Sequence, residues 1–366
     1  MQNNDDGFNR VTAFPEISGS VQWRSPSNIA LVKYWGKRKG QIPENPSISI
    51  TLKKSHTETL LGYSPAKGQS GILTGFSLDR RELPAFKERI DRYLSQIGDL
   101  YPFLKDFDLT ISSTNSFPHS SGIASSASAL SAIALCVTSM ERMLFSSPSD
   151  DYSFFRKASY AARIGSGSAA RSVYPGYVLW GSAAEIPHSA NEYAVPLNDN
   201  IHAEFKDMGD AILIVDESPK PVSSSKGHSL MESNPWATVR YRQAEMHTGR
   251  LIEVLAAGDA EEFVRIVEKE AMTLHSLMMS SYPGYILLKP GTLQIIEKVR
   301  QFRLDTRVPL AFTLDAGPNV HLIYPARFRE SVKNLIEQQL VVHCSKGRWI
   351  DDNTGEGPVE ITESDS

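Results

Sequence analysis

Four stretches of this chain gather residue types that do chemistry. In Asn28-Ile29-Ala30-Leu31-Val32-Lys33-Tyr34-Trp35-Gly36-Lys37-Arg38, lysines are interleaved with aromatic side chains. Such a stretch can be an amphipathic strand with a solvated basic end; a nucleic-acid contact would want more such patches and a basic total, and neither is found. Ser116-Phe117-Pro118-His119-Ser120-Ser121-Gly122-Ile123-Ala124-Ser125-Ser126-Ala127-Ser128-Ala129 lies between a strand pattern and a helix pattern. Gly122 permits close backbone approach or positive φ, and the N–H groups that follow at a helix start form a cradle for anions. Ser125 and Ser126 add hydroxyls for phosphate or Mg²⁺. A Ser-rich cap before a tightly packed Ala/Ser helix accounts for the same residues, and with no Gly-Lys-Ser/Thr this is not a Walker loop.

In Arg163-Ile164-Gly165-Ser166-Gly167-Ser168-Ala169-Ala170-Arg171-Ser172, two serines flank a glycine and an arginine follows three residues later. Hydroxyls and a guanidinium fork suit a multiply charged anion; a helix end and a polar loop would look alike. In Thr313-Leu314-Asp315-Ala316-Gly317-Pro318-Asn319, an aspartate ends an apolar strand and enters a Gly-Pro turn. That is a common structural device, and it is also a place to hold a catalytic carboxylate rigidly.

Other chemistries find no support. The nine histidines show no HExxH or Cys/His ligand spacing, so a structural zinc site is not expected. No G-x-G-x-x-G follows a strand, and Gly165 to Ser168 lacks the G-x-S-x-G spacing of a nucleophile elbow. Cys136 and Cys344 sit beside apolar residues and read as buried thiols. The composition, 41% hydrophobic and 22% charged with a formal net charge of -4, is that of a globular protein. It carries no global bias toward nucleic acid or an anionic membrane. With no apolar h-region near the start, and with Ala129 to Val137 too short to span a bilayer, the expectation is a reduced, cytoplasmic, soluble protein.

The elements that must position these residues form an α+β pattern. Ser47 to Leu52 alternates with period two, as a half-buried strand does, and Thr57 to Tyr63 reads as another strand. Ile72 to Leu83 suggests a hairpin around Gly75. Phe86, Ile90, Tyr93, Leu94 and Ile97 share one helical face behind Pro84. Helices are expected over about 123–144 and 152–164, and strands at Asp108 to Ser112 and Tyr177 to Trp180. Ala211 to Val215 has the continuous apolar run of a strand buried on both faces. From about Pro235 to Met279 the chain is helical, broken at Gly258 with Asp259 as the next cap. A helix at about 290–303, strands Leu310 to Leu314 and Val320 to Tyr324, a helix at about 326–340 and a last strand Val341 to Cys344 complete the pattern. The division expected is 1–205, with a loose start up to residue 20, then 206–350, then an acidic tail 351–366, with the site in the cleft between the two large parts.

Taken jointly, SPSNIALVKYWGKR, NPSISITL, SFPHSSGIASSASA, ARIGSGSAARSVYPGYVLWG, VSSSKG and FTLDAGPNVHLIYP resemble the diphosphomevalonate decarboxylases of the GHMP kinase superfamily. The likeness spans residues 25 to 325 and is far more specific than any one motif. It implies a ribosomal-S5-like N-terminal domain, a ferredoxin-like C-terminal domain, and an enzyme that uses ATP and Mg²⁺. The family phosphorylates the 3-hydroxyl of mevalonate 5-diphosphate, then expels that phosphate with CO₂ to give isopentenyl diphosphate. By position, the resemblance makes Asp315 the catalytic aspartate, Lys33 the active-site lysine and Arg171 the carboxylate-binding arginine. Tyr34, Lys37, Ser166, Ser168 and Ser224 fall on the substrate side. ATP falls on Ser116, Pro118, Ser120, Ser121, Gly122, Ile123, Ala124, Ser125 and Ser126, with Ser126 a contact for Mg²⁺. The family often forms homodimers; neither nucleic acid nor membrane is an expected partner.

The chain departs from the family's usual pattern in a few places. His119-Ser120-Ser121 stands for Thr-Ala-Ala, Pro46 for a small polar residue, Leu314 for Phe and His228 for Met, and Ser225 stands where some bacterial members carry an arginine. These changes leave the catalytic set intact; the expected substrate is the 5-diphosphate, and the departures bring in 5-phosphomevalonate as the alternative. A non-catalytic metabolite binder is disfavoured, because it would need no base.

Overall fold

The structure, a computed structural model, describes residues 17–68, 73–117, 124–218 and 221–362. Two sheets carry the chain. The first is organised on a long antiparallel pair, β1 (Gly19–Ala30) and β2 (Ser47–Pro65). β3 (Leu73–Leu78), β4 (Arg81–Glu82) and β5 (Phe107–Asn115) extend it beyond β2, while β6 (Tyr177–Trp180) and β7 (Ala194–Pro196) continue from the first residues of β2. Helices α1 (Pro84–Gln96), α2 (Ser125–Phe145) and α3 (Asp151–Gly165) pack with this sheet, α2 directly across β1 and β2.

The Ala/Ser composition of α2 explains its depth. Every residue from Leu130 to Met140 is buried, and small side chains let the helix axis approach the strands. A helix buried this far must have its hydroxyls bonded. Ser131 pairs with Ser25 at 2.5 Å, Ser128 with Thr57 at 2.7 Å, and Ser139 accepts from the Trp23 indole at 2.8 Å.

In the second sheet α4 (Ala203–Lys206) leads into β8 (Met208–Leu213), which lies between β10 (Val320–Pro325) and β11 (Trp349–Asn353), with β9 (Ala311–Thr313) outside β10. Around it stand α5 (Ser224–Ser229), α6 (Ala237–Ala257), α7 (Ala260–Ser280), α8 (Pro290–Thr306) and α9 (Arg329–Leu335). Gly258, at φ +79°, ends α6 in the left-handed region that favours glycine. Asp259 then caps α7, accepting the Glu262 N–H at 3.0 Å. As its apolar run implied, β8 is buried on both faces. Ala211 and Leu213 meet α8 and α9, while Ile212 and Ile214 meet α6, α7 and Ile48 and Ile50 of β2. One core thus joins the two sheets.

Several expectations need correction. Ser47–Leu52 and Thr57–Tyr63 belong to one strand, and Ser47 to Leu52 is buried on both faces. Its small hydroxyls are buried: Ser47 accepts from Arg171, and Thr51 donates to the Gly176 carbonyl at 3.2 Å. The hairpin turns at Asp79 and Arg80, both at positive φ, as a two-residue turn requires; Gly75 instead sits at a register shift. Val341–His343 is a helical turn, and the last strand of that sheet is β11. Within the stretch expected to be an acidic tail, residues 351–353 and 359–360 are built into the sheets. β11 pairs with β8, and β12 (Val359–Glu360) pairs with β1 in the other sheet. Two of its carboxylates are anchored: Asp352 accepts the N–H groups of Lys53, Lys54 and Ser55 at 2.7–3.0 Å, and Asp351 takes Arg329 at 2.9 Å. At the other end, β1 already begins at Gly19, inside the stretch expected to be loose.

Candidate active site

A cavity of about 430 Å³ opens between the two sheets. Lys33, Tyr34 and Lys37 come from the loop after β1, Ser125 and Ser126 from the start of α2, and Ser166, Ser168 and Arg171 from the segment after α3. Ser224 and His228 come from α5, and Asp315 from the turn after β9. Residues separated by nearly the whole chain converge here because β1 and β9 both end at the cleft.

Lys33 is fully buried, and its Nζ donates to Asp315 Oδ1 at 2.8 Å. Burial pulls the ammonium below the usual lysine range, opposed by the neighbouring Asp315 and Glu270. The peptide of Lys33 is clamped by side chains from α6, α7 and the segment before β2. Its N–H donates to Glu270 Oε2 at 2.8 Å, and its carbonyl accepts from Arg240 at 3.1 Å and Asn45 at 3.0 Å. Glu270 in turn pairs with Arg240 at 2.6 Å and His247 at 2.6 Å, all three buried. Burial alone would raise the Glu270 carboxyl; Arg240, His247 and the Lys33 N–H overcome it and hold it below its ordinary range. From α7, His275 Nε2 donates to the Asp315 carbonyl at 3.1 Å, fixing the turn that carries the carboxylate.

Arg171 is buried and held by neutral acceptors. Nε and Nη2 donate to Asn28 Oδ1 at 3.3 and 3.2 Å, and Nη1 donates to Ser47 Oγ at 2.5 Å. It forms no ion pair among the described residues. Burial pulls its pKa down to about 10, so it remains cationic at neutral pH. A fixed guanidinium with neutral neighbours on a cavity wall is a receptor for an anion.

Tyr34 lies against Trp180 and His228, with ring centroids 4.7 and 4.4 Å apart, and its hydroxyl is buried without a partner. Burial raises its pKa strongly, so it stays a neutral donor. Lys37 donates to Gln41 at 2.8 Å. The hydroxyls of Ser126, Ser166 and Ser168 form a loose row, 3.4 and 3.5 Å apart. Gly167 is required beneath it: an added Cβ would lie 2.5 Å from Trp180 and 2.9 Å from the Tyr34 hydroxyl.

Of the residues singled out in the sequence, Lys33, Tyr34, Lys37, Ala124, Ser125, Ser126, Ser166, Ser168, Arg171, Ser224 and Asp315 line this cavity. Ser116 does not; its hydroxyl donates to the Lys54 carbonyl at 2.6 Å and accepts the His56 N–H at 2.9 Å. Pro118, Ser120, Ser121, Gly122 and Ile123 lie outside the described residues. Sequence reasoning gave no role to Asn28, Ser47, Glu270, Arg240, His247 or the rim residue Arg89. A signal existed for Glu270, which shares a helical face with Phe263, Val267 and Leu274.

Comparison with known proteins matches both halves of the chain to one family. Residues 25–191 match the family model of the diphosphomevalonate decarboxylase-like N-terminal domain. Residues 211–362 match the mevalonate 5-diphosphate decarboxylase C-terminal domain. The diphosphomevalonate decarboxylase of Eremothecium gossypii is 30% identical, over 82% of this chain and 77% of its own length. That of Saccharomyces cerevisiae is 31% identical, also over 82% and 77%. Among solved structures, mevalonate diphosphate decarboxylase from Staphylococcus aureus is similar with a TM-score of 0.81 and 27% identity, covering 94% of this chain and 99% of that one. MDDEF, solved in complex with MVAPP, AMPPCP and magnesium, is similar with a TM-score of 0.77 and 25% identity, covering 94% and 99%.

Proposed function

The chain belongs to the diphosphomevalonate decarboxylase family of the GHMP kinase superfamily, and from that premise we propose that it converts mevalonate 5-diphosphate and ATP to isopentenyl diphosphate, ADP, phosphate and CO₂. The observation that carries the reading is the pairing, in one cavity, of the Lys33–Asp315 couple with the buried Arg171 fork.

The 3-hydroxyl oxygen attacks the γ-phosphorus of ATP; the new O–P bond forms as the bond to the β-phosphate oxygen breaks, and Asp315 takes the hydroxyl proton. Lys33 orients that carboxylate through its 2.8 Å bond. The C–O bond to the new phosphate then breaks while the electrons of the C–CO₂ bond become the alkene. Arg171 holds the carboxylate in plane until it departs. Tyr34, Lys37, Ser166, Ser168 and Ser224 receive the 5-diphosphate.

Magnesium fits this site as an ion delivered with the nucleotide. No cluster of three metal-ligating His, Cys, Asp or Glu side chains occurs among the described residues. Among the described residues the Ser126 hydroxyl is engaged only by the 3.4 Å contact to Ser166 and is on offer as a ligand. When bound, Mg²⁺ neutralises phosphate charge.

The same proposal extends to a cytoplasmic homodimer. Two buried free thiols, Cys136 and Cys344, support a reducing compartment. The exposed Trp236, Val239 and Met246 along one side of α6 support a self-associating face. Light scattering across concentrations checks the assembly. The activity is checked by incubating purified protein with ATP, Mg²⁺ and each mevalonate phosphate. One ADP and one CO₂ per turnover are expected on the 5-diphosphate; ADP without CO₂, or turnover only on the monophosphate, refutes the reading.

A further inference from the structure

His228 occupies the position where the resemblance leads one to expect methionine, and its surroundings fix its chemistry. Its ring packs between Tyr34 and Trp35, with centroids 4.4 and 4.5 Å away, on the cavity wall. Nδ1 accepts the backbone N–H of Gly36 at 2.9 Å. A neutral imidazole holds one proton, and a nitrogen that accepts cannot hold it, so Nε2 carries the hydrogen. The ring does stay neutral: burial, reinforced by the Lys37 ammonium, pulls its pKa down to about 3. Other polar groups that line the cavity with it include the Tyr34 phenol, the Ser224 and Ser225 hydroxyls, and the charged Lys33, Arg89, Arg171 and Asp315. Among the described residues Nε2 has no hydrogen-bond partner.

We propose that His228 is a specificity residue: its Nε2–H donates to the 5-phosphoryl oxygens of the substrate, beside Lys37, Tyr34 and Ser224. The assignment rests on the reading of the cavity given above. It places the donor beside Lys37, whose ammonium acts on the ring, and leaves Arg171 on the same wall for the carboxylate. A neutral donor of fixed tautomer contributes the same bond across the physiological pH range, and, unlike methionine, it favours a ligand with acceptor oxygens at this point.

The test is binding of mevalonate 5-diphosphate by calorimetry, together with ¹⁵N-histidine NMR. Wild type should show His228 as the Nε2–H tautomer from pH 5.5 to 8, with that proton shifting on substrate addition. His228→Met should weaken substrate binding about tenfold or more, the scale of a hydrogen bond to a charged acceptor, while ATP affinity is unchanged. His228→Gln, which keeps an N–H donor, should lose less. Should His228→Met fail to fold, His228→Gln and the wild-type NMR still decide. Titration of His228 near pH 6.5, or a substrate-insensitive Nε2–H, overturns the proposal. Wild type that turns over substrate while a folded His228→Met binds it equally well overturns this proposal alone; wild type that does not bind the substrate overturns the functional reading with it.

Discussion

Glu270→Gln isolates what the clamp on Lys33 contributes. The amide is nearly isosteric and can still accept the Lys33 N–H, so the change removes charge rather than shape. It strands Arg240, whose side chain and that of Glu270 are only 1% and 0% exposed. Removing one partner of a buried pair costs about 3–5 kcal/mol, against a total stability of roughly 5–15 kcal/mol. The variant should therefore fold and melt roughly 6–20 °C lower. Glu270 also supports the Lys33 ammonium, already lowered by burial. Without it Lys33 deprotonates at lower pH, so the alkaline limb of the rate profile moves toward neutrality. Loss of positioning at the reacting centre adds a fall in kcat of about 10- to 100-fold. The double variant Glu270→Gln/Arg240→Met removes the stranded cation and should regain stability, while the alkaline limb stays displaced. Melting curves and pH–rate profiles of the three proteins give the answer. A single variant that melts within about 3 °C of wild type with an unmoved profile refutes the reasoning.

Three further outcomes are expected. Asp315→Asn should cut ADP formation and CO₂ release together by about 10²–10⁴-fold; normal ADP formation with no CO₂ would move Asp315 to the second step. Arg171→Lys keeps the charge but loses the bonds of the fork to Asn28 and Ser47, so turnover should collapse with ATP affinity nearly intact; wild-type turnover would make Arg171 purely structural. Gly167→Ala should disturb Trp180 and Tyr34 and raise KM for the 5-diphosphate more than it lowers kcat, and steady-state kinetics showing KM unchanged would contradict the placement of Tyr34.

Lys33, Arg171 and Asp315 were legible in the sequence because each is a charged residue in a distinctive setting, and the joint resemblance gave them roles. Asn28 and Ser47 were not, since a strand asparagine and serine look like solvent-facing alternation. Only the fold shows that β2 is buried on both faces there and that Ser47 receives Arg171. The Asp351–Asn353 strand was hidden for a related reason. Acidic residues have low strand propensity, and what overrides it is tertiary: three backbone N–H groups on Asp352 and a guanidinium on Asp351. The turn at Asp79–Arg80 was missed because neither residue is glycine, although both adopt positive φ.

The course of the C-terminal strands has a mechanical meaning. The chain crosses from the first sheet to the second before β8 and recrosses between β11 and β12. The two crossings lie side by side, joined where the Thr354 N–H meets the Met208 carbonyl at 2.9 Å, and the second is fastened to β2 where the Gly355 N–H meets the Thr51 carbonyl at 2.8 Å. A single tether leaves one body free to swing and twist against another. Two adjacent tethers act as a door hinge: they permit rotation about one axis and resist torsion. Opening and closing of the cleft for nucleotide should then follow one coordinate, with the Lys33 clamp as its latch. Cutting the chain after Asn353 would free the torsion, and the spread of distances between paired labels across the cleft should widen; an unchanged spread would assign the stiffness to the shared apolar core instead.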